Sequence, residues 1–334
     1  MSSSDQLLVF YSRIDAFGDG LLRIPALRAA RTAFPRSRIV YAASGPSTLE
    51  KLLGRHVSHL VDAFRTSTPL AAVVSEFQRR GERTAIADFR NLVPKLFAAR
   101  LRFIGTGIDY EANFPGFALS WPRRKLAPRP EHNAWRFHRI VERLARRPLP
   151  FDHRLSVTAP ARAEAVRIRG ADRRPLVLTN ANGAFQDKRM SSEQVTAIAG
   201  GLADRGYRVM YMITPGDGPS AETLRAAEPR IEIVGPSDTL RGAELDDVFL
   251  ALGEMAAAYV GAEGGMAHLM AAVSTPMVIV NRGFSIERWR PLSNFVEVVE
   301  AGLETATGRV GDVPPAAVLA AAESLFAAQV RNHQ

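Results

Sequence analysis

Short apolar runs at 6–11, 38–42, 84–88, 176–179, 208–213, 256–260 and 276–280 punctuate this chain, with stretches of helical spacing between most of them. Repeated alternation of strand and helix implies a parallel sheet covered by helices on both faces. No other feature restricts the fold as strongly, and it places the chain in the α/β class. At 334 residues the chain exceeds what a single hydrophobic core usually organises, so two domains are expected.

The spacing predicts, in the first half, strands at 6–11, 38–42, 57–61, 84–88 and 103–105. Helices are predicted at 20–34, 47–53, 70–80 and 93–101, the first stopped by Pro35. Residues 112–130 show no periodicity and hold several prolines, after which 131–147 reads as one long helix. A helix at 160–169 carries Pro160 at its first position, where a missing N–H costs nothing. A second α/β series follows, with strands at 176–179, 208–213 and 231–234 and helices at 192–205, 221–227 and 245–256. Ser191 is expected to cap the 192–205 helix, with Gln194 completing a capping box. The division read from this pattern is 1–155, 170–310 and a tail, 311–334, that carries an alanine-rich helix over 314–330. Two doubly wound domains facing each other across a cleft is the coherent architecture.

In open α/β sheets, ligands gather beyond the C-terminal ends of the strands, so four loops carry the candidate chemistry. The most specific is Val260-Gly-Ala-Glu263-Gly264-Gly265-Met-Ala-His268-Leu269, a strand, a glycine-bearing turn and a small-residue helix. Such a turn offers backbone N–H groups and a helix N-terminus to a phosphate. His268 lies within the first turns of that helix. In the loop 180–189, Lys188 stands just ahead of a helix, where its charge can stabilise a diphosphate leaving group. In the loop 214–220, Asp217 between two glycines is placed to accept hydrogen bonds from ribose hydroxyls. The loop 12–19 holds Arg13, Asp15 and Asp19. Asp19 sits where a helix begins, as an N-cap or as an ionised general base, and spacing alone does not separate it from Asp15.

The formal charge of +9 suggests a polyanionic partner. The basic residues concentrate in Arg123-Arg124-Lys125 and continue through Arg129, Arg136, Arg139, Arg143, Arg146 and Arg147, with Trp121, Trp135 and Phe137 among them. A solvated helix face, an acceptor contact and a membrane-surface contact all fit this segment. The chain has no cysteine, hence no disulfide and no thiolate chemistry. No apolar run approaches a membrane span, and Met1–Asp5 lacks a secretory pattern, so a cytoplasmic protein is expected. No Asp-x-Asp pair or histidine cluster has metal-ligand spacing, and no nucleic-acid-binding motif is visible.

Three blocks, in order, are similar to the family-9 glycosyltransferases, the ADP-heptose:lipopolysaccharide heptosyltransferases and their relatives. They are Arg13-Ile-Asp15-Ala-Phe-Gly18-Asp19 through Arg28, the loop and helix at 182–205, and 245–276 with its Gly-Ala-Glu-Gly-Gly-Met-Ala-His run. Weaker similarity at 88–105 and 132–144 extends this to most of the chain. The resemblance implies a GT-B fold of two Rossmann-like domains, with acceptor at the N-terminal half and nucleotide sugar at the C-terminal half. It implies inverting transfer without a metal or other cofactor, and no nucleic-acid partner. Carried over by position, Asp19 is the base and Lys188 binds the diphosphate beside the amides of Gly264 and Gly265. Glu263 stands at the family's sugar-contacting Asp, and His268 matches the family's histidine. Arg13, Asp15, Arg123 and Arg124 fall on the acceptor side.

The expected substrates are an ADP-linked, heptose-like donor and a lipopolysaccharide-core acceptor, met at the inner membrane surface. Another GT-B activity (on protein, on a small metabolite, or as a sugar-nucleotide epimerase) and a non-catalytic nucleotide-sugar-binding module are the alternatives. The chain departs from the family at the donor side. Glu263 replaces Asp, which moves the carboxylate by about an ångström. Lys188-Arg189-Met190-Ser191 replaces Lys-x-Trp-Pro.

Overall fold

The computed structural model describes residues 6–79, 83–90, 93–112, 132–183, 185–214, 220–236, 244–283 and 286–332. The chain divides into two compact units, Met1–His153 with Glu287–Trp289, and Arg154–Ile286 with Arg290–Gln334.

The N-terminal unit runs β1 (Gln6–Ser12), α1 (Phe17–Ala33), β2 (Arg38–Ala43), α2 (Thr48–Lys51), α3 (Gly54–Val57), β3 (Ala63–Arg65), α4 (Leu70–Gln78), β4 (Arg83–Asp88), α5 (Val93–Phe103), β5 (Asp109–Ala112) and α6 (Asn133–Ala145). Its five strands are parallel, in the order β3-β2-β1-β4-β5. β1 reads as a continuous apolar run because both its faces are covered. Leu7, Val9 and Tyr11 join Val73, Val74 and Phe77 of α4 and Phe103 of α5 in one core cluster. On the other face Phe10 meets Phe89 at 5.2 Å, and Phe89 meets Phe137 of α6 at 4.7 Å.

The C-terminal unit runs α7 (Ala159–Arg169), β6 (Leu176–Asn180), α8 (Ser192–Asp204), β7 (Arg208–Met212), α9 (Ala221–Ala227), β8 (Glu232–Val234), α10 (Leu245–Met255), β9 (Ala258–Ala262), α11 (Gly265–Ala271), β10 (Met277–Asn281), β11 (Val296–Glu300), the short α13 (Ala301–Glu304) and α14 (Pro315–Asn332), while the short α12 (Ile286–Trp289), between β10 and β11 in the chain, groups from Glu287 on with the N-terminal unit. Its six strands are also parallel, in the order β11-β10-β9-β6-β7-β8. Val177, Val209, Val260 and Val278 pack on Val195, Ile198 and Leu202 of α8 and on Val318 and Leu325 of α14. Each sheet reverses its winding once, between β1 and β4 in the first unit and between β6 and β9 in the second. At such a switch point the crossover helices leave toward opposite faces and open a crevice at the strand ends.

Several local expectations are corrected. The strand expected at 57–61 is the end of α3 and a turn, and the edge strand is Ala63–Arg65. The strand expected at 103–105 is the close of α5, and the pairing strand is Asp109–Ala112. β11 was not expected at all. Pro160 follows Ala159 at the second position of α7, with the Thr158 hydroxyl accepting from the Ala161 N–H at 3.3 Å. Ser191 caps α8 by accepting from the Gln194 N–H at 3.1 Å. The Gln194 side chain does not return to the cap. Its Nε2 donates to the carbonyls of Val310 (3.0 Å) and Val313 (2.7 Å).

The basic segment is only in part the solvated face that its charge alone suggests, with Arg139, Arg146 and Arg147 exposed. Arg136 is buried, and Arg143 donates to the Ala112 carbonyl (2.8 Å) and Glu111 (3.1 Å). α6 packs on α1, and Phe137, Ile140 and Val141 are in its buried stripe. Arg123 and Arg124 lie outside the described residues, as does Asp217. Among the described residues no helix is long and apolar enough to cross a membrane.

Candidate functional site

At the switch point of the C-terminal sheet, the loop after β6 and the turn after β9 bring Lys188 and Glu263 together. Lys188 Nζ donates to Glu263 Oε2 at 2.7 Å. Both side chains are largely withdrawn from solvent, with 24% and 10% of their surface exposed. A charge-assisted contact in such a place is among the stronger hydrogen bonds a protein makes.

The geometry around this pair is built from the backbone outward. The Glu263 N–H donates to the Val280 carbonyl at 3.0 Å, fixing the turn against β10. Gly264 then passes so close to the preceding loop that a Cβ there would stand 2.9 Å from the Asn182 carbonyl oxygen. Gly183 is tighter still, with the Lys188 carbonyl oxygen 2.3 Å from where its Cβ would lie. These contacts explain glycine at both positions without any appeal to strained dihedrals.

The Lys188 loop is held from several sides. Asn180 Nδ2 donates to the Met212 carbonyl at 2.7 Å, and Asn182 Nδ2 donates to Thr214 Oγ1 at 2.6 Å, tying the loop to the end of β7. Asn180 Oδ1 accepts from the Asn182 N–H at 2.9 Å. Arg282, just beyond β10, pairs with Asp187 on the other side. The sequence singled out none of these anchors. An Asn-x-Asn at a strand end was its available signal. His268 is buried within α11, and Gly265 opens that helix.

In the N-terminal unit Asp15 and Asp19 differ in burial. The Asp15 carboxylate has no exposed surface. It accepts from Ser12 Oγ (2.6 Å), Tyr41 OH (2.6 Å) and Ser47 Oγ (2.7 Å), and it pairs with the buried Arg23 guanidinium. Arg23 in turn donates to Tyr41 OH at 3.0 Å and lies over the Phe137 ring, 5.4 Å from its centroid. Burial lowers the pKa of Arg23 and raises that of Tyr41, with the neighbouring Arg23 charge opposing the rise in Tyr41. The Asp15 oxygens are enclosed and already engaged by side chains of the same unit. Asp19 is half-buried in the first turn of α1. It is three residues inside the helix and not the N-cap, and its Oδ2 accepts from the Ala16 N–H at 3.2 Å. Arg13 is exposed, and its carbonyl accepts from the Gly45 N–H at 2.8 Å.

A second cluster at this sheet end was not expected. Asp88, the last residue of β4, accepts from Arg90 Nε (2.9 Å) and Nη2 (2.6 Å) and from Tyr110 OH (2.7 Å). The Arg90 guanidinium lies over the Tyr11 ring at 4.9 Å. Burial works against the Arg90 charge, but Asp88 outweighs it and holds Arg90 above its ordinary pKa. Burial, with Asp88 beside it, raises the Tyr110 phenol. Among the described residues no group of three or more His, Asp or Glu is placed to hold a metal ion.

Two parallel Rossmann-like sheets, one in each unit, are the elements of the GT-B fold. Similar architecture is found in a family-9 glycosyl transferase from Veillonella parvula (TM-score 0.65, 16% identity, covering 97% of this chain and 99% of that one). It is found again in the E. coli ADP-heptose lps heptosyltransferase II (TM-score 0.61, 18% identity, 97% and 99% covered). A third example is the E. coli heptosyltransferase WaaC with ADP (TM-score 0.57, 16% identity, 95% and 99% covered). Comparison with curated protein sequences gives no match. The family model for glycosyltransferase family 9 (heptosyltransferase) matches residues 93–311, well over half of the chain. The protein belongs to glycosyltransferase family 9.

Proposed function

We propose that this glycosyltransferase moves a heptose-like sugar, with inversion and without a metal, from an ADP-linked donor to a cell-envelope glycolipid of the lipopolysaccharide-core type. The reading rests on one observation above the others, the Lys188–Glu263 pair at the switch point of the C-terminal sheet. A diphosphate has what Lys188 needs in a replacement partner, and a sugar hydroxyl has what Glu263 needs. Donor binding is then an exchange in which both charges keep a polar partner and neither is stranded. The E. coli neighbours named for ADP-heptose and solved with ADP support the nucleotide.

In this mechanism the Asp19 carboxylate takes the proton of the acceptor hydroxyl. The hydroxyl oxygen attacks the anomeric carbon as the bond from that carbon to the diphosphate oxygen breaks. The electron pair leaves on the diphosphate, where Lys188 and the amides of Gly264 and Gly265 stabilise it. Displacement from the opposite side inverts the anomeric configuration. The exposed Arg13 and the Arg90 cluster, at the strand ends of the N-terminal unit, are the groups that would meet an anionic acceptor.

The deciding experiment is calorimetric titration with ADP, UDP and GDP in the absence of metal. ADP is expected to bind selectively, and that binding is expected to be lost in Lys188→Ala. Preference for UDP or GDP would keep the family and reject the ADP-heptose donor. Absence of binding to any of them at millimolar concentration would reject the donor-site assignment.

A further inference from the structure

Tyr259, in β9, is fully buried, and its hydroxyl has no hydrogen-bond partner among the described residues. Other buried tyrosines use theirs. Tyr41 OH donates to Asp15 at 2.6 Å, and Tyr11 OH accepts from the Leu70 N–H at 2.9 Å. A buried hydroxyl left unpaired costs stability, and a phenylalanine ring would fill the same space without that cost. The direction of the Tyr259 side chain shows what the hydroxyl is near. Ala258, Val260 and Ala262 join the core formed with α8 and α14, so Tyr259, Gly261 and Glu263 belong to the opposite face of β9. The Glu263 N–H still donates to the Val280 carbonyl of β10, which keeps residue 263 in that alternation. The Tyr259 ring runs along the strand over Gly261, where a Cβ would stand 2.5 Å from the hydroxyl oxygen. The hydroxyl therefore ends on the Glu263 side of the strand, and residue 261, the one position between them on that face, carries no side chain.

We propose that Tyr259 is a positioning residue whose hydroxyl is kept in reserve for Glu263 and donates to its carboxylate when Lys188 is drawn away. In the structure Glu263 Oε2 accepts from Lys188 Nζ at 2.7 Å. A diphosphate that takes Lys188 leaves the buried carboxylate short of a donor, and a buried charge without hydrogen bonds is costly. A sugar hydroxyl supplies one replacement and the phenol a second, from the opposite side. A carboxylate has room for both. Burial raises the pKa of Tyr259, with the Tyr211 and Glu263 charges adding to the rise, so the proton to be donated is in place throughout the neutral range. The longer side chain of Glu263, where the family has Asp, gives the carboxylate the length to turn back over Gly261. The occasion for this exchange rests on the donor-site reading, but the contact itself can be provoked without a ligand by removing Lys188.

The test places Tyr259→Phe in three backgrounds of the full chain: wild type, Lys188→Ala and Glu263→Gln. Each protein is unfolded in denaturant and titrated with ADP by calorimetry. In the wild type the substitution removes a hydroxyl that has no partner, so the unfolding midpoint is expected to hold or rise. In Lys188→Ala, where Glu263 has turned to the phenol, the same substitution is expected to lower the midpoint. A purely structural tyrosine would shift the midpoint in the same direction in both. Tyr259→Phe is also expected to weaken ADP binding about tenfold, the worth of a hydrogen bond to a charged group. In Glu263→Gln, which has no carboxylate to satisfy, it is expected to leave ADP affinity within about twofold. A midpoint that falls equally in the wild type and in Lys188→Ala overturns the proposal, because the hydroxyl is then already paired in the free protein. So does ADP affinity that Tyr259→Phe leaves unchanged, or weakens equally with and without Glu263. Should ADP bind to none of these proteins, the donor-site reading fails, and the midpoints in the wild type and in Lys188→Ala decide the Tyr259–Glu263 contact by themselves.

Discussion

Lys188 and Glu263 stand 75 residues apart in the chain, and their side chains meet at 2.7 Å across the seam between β6 and β9. The pair stores a cation and an anion next to each other at a place where a diphosphate and a sugar would use one each. Neutralising either partner separates these uses. Glu263→Gln frees Lys188 from its competitor, so ADP is expected to bind several-fold more tightly while sugar transfer falls. Lys188→Ala removes the cation and leaves Glu263 facing the diphosphate, and ADP affinity is expected to drop about 10- to 100-fold, a charge-assisted hydrogen bond being worth roughly 1.5–3 kcal/mol. Titration calorimetry on both variants checks this. Equal losses in both would mean that the pair is a structural brace.

Asp19 is tested by turnover. Asp19→Asn keeps the shape of the side chain and removes its capacity to take a proton. The expected result is a kcat lower by roughly 10²–10⁴-fold, with donor affinity unchanged because the donor groups belong to the other unit. A variant that retains wild-type kcat would remove Asp19 from the mechanism.

Asp15 is tested by unfolding. Asp15→Ala leaves the Arg23 guanidinium buried beside three hydroxyls that have lost their acceptor. Breaking a buried pair on one side costs about 3–5 kcal/mol, so a large fall in the denaturant midpoint is expected. Tyr41→Phe removes one hydroxyl, which donates to Asp15 and accepts from Arg23, and should cost only about 1–3 kcal/mol. If Asp15→Ala melts like the wild type, the network carries no stability.

Gly264→Ala forces a Cβ to within 2.9 Å of the Asn182 carbonyl, a backbone atom that cannot swing aside. A destabilisation of about 1–3 kcal/mol and weaker ADP binding are expected together. Gly54→Ala supplies the control, since a Cβ there meets nothing within 4 Å, and its melting temperature should not fall.

Much of this arrangement was legible in the sequence, and its failures have physical causes. Long, doubly covered strands such as β1 and β10 announce themselves because burial on both faces demands an unbroken apolar run. Val57–Val61 and Phe103–Gly105 misled because a few apolar residues fit the last turn of a helix as well as a short strand. β11 went unseen because it is an edge strand, half-buried at most positions and interrupted by Glu297. Lys188 and Glu263 were found through ordered motifs. The groups that aim them were not, since Asn182 and Thr214 stand 32 residues apart and only the sheet brings them together. The same holds for Tyr110 and Asp88, which are 22 residues apart.

The pairing of β6 with β9 sets Asn180 opposite Gly261, and Lys188 and Glu263 depend from those same strand ends. A chain with either half of the C-terminal sheet unformed therefore has no place to hold a donor. Whatever nucleotide binds there binds only the completed sheet, and mass action then draws the folding equilibrium toward it. On the proposed donor site, substrate supply and enzyme lifetime would be coupled in this way. In cells rich in donor the protein should outlast the same protein in cells that have exhausted it, with no regulator involved.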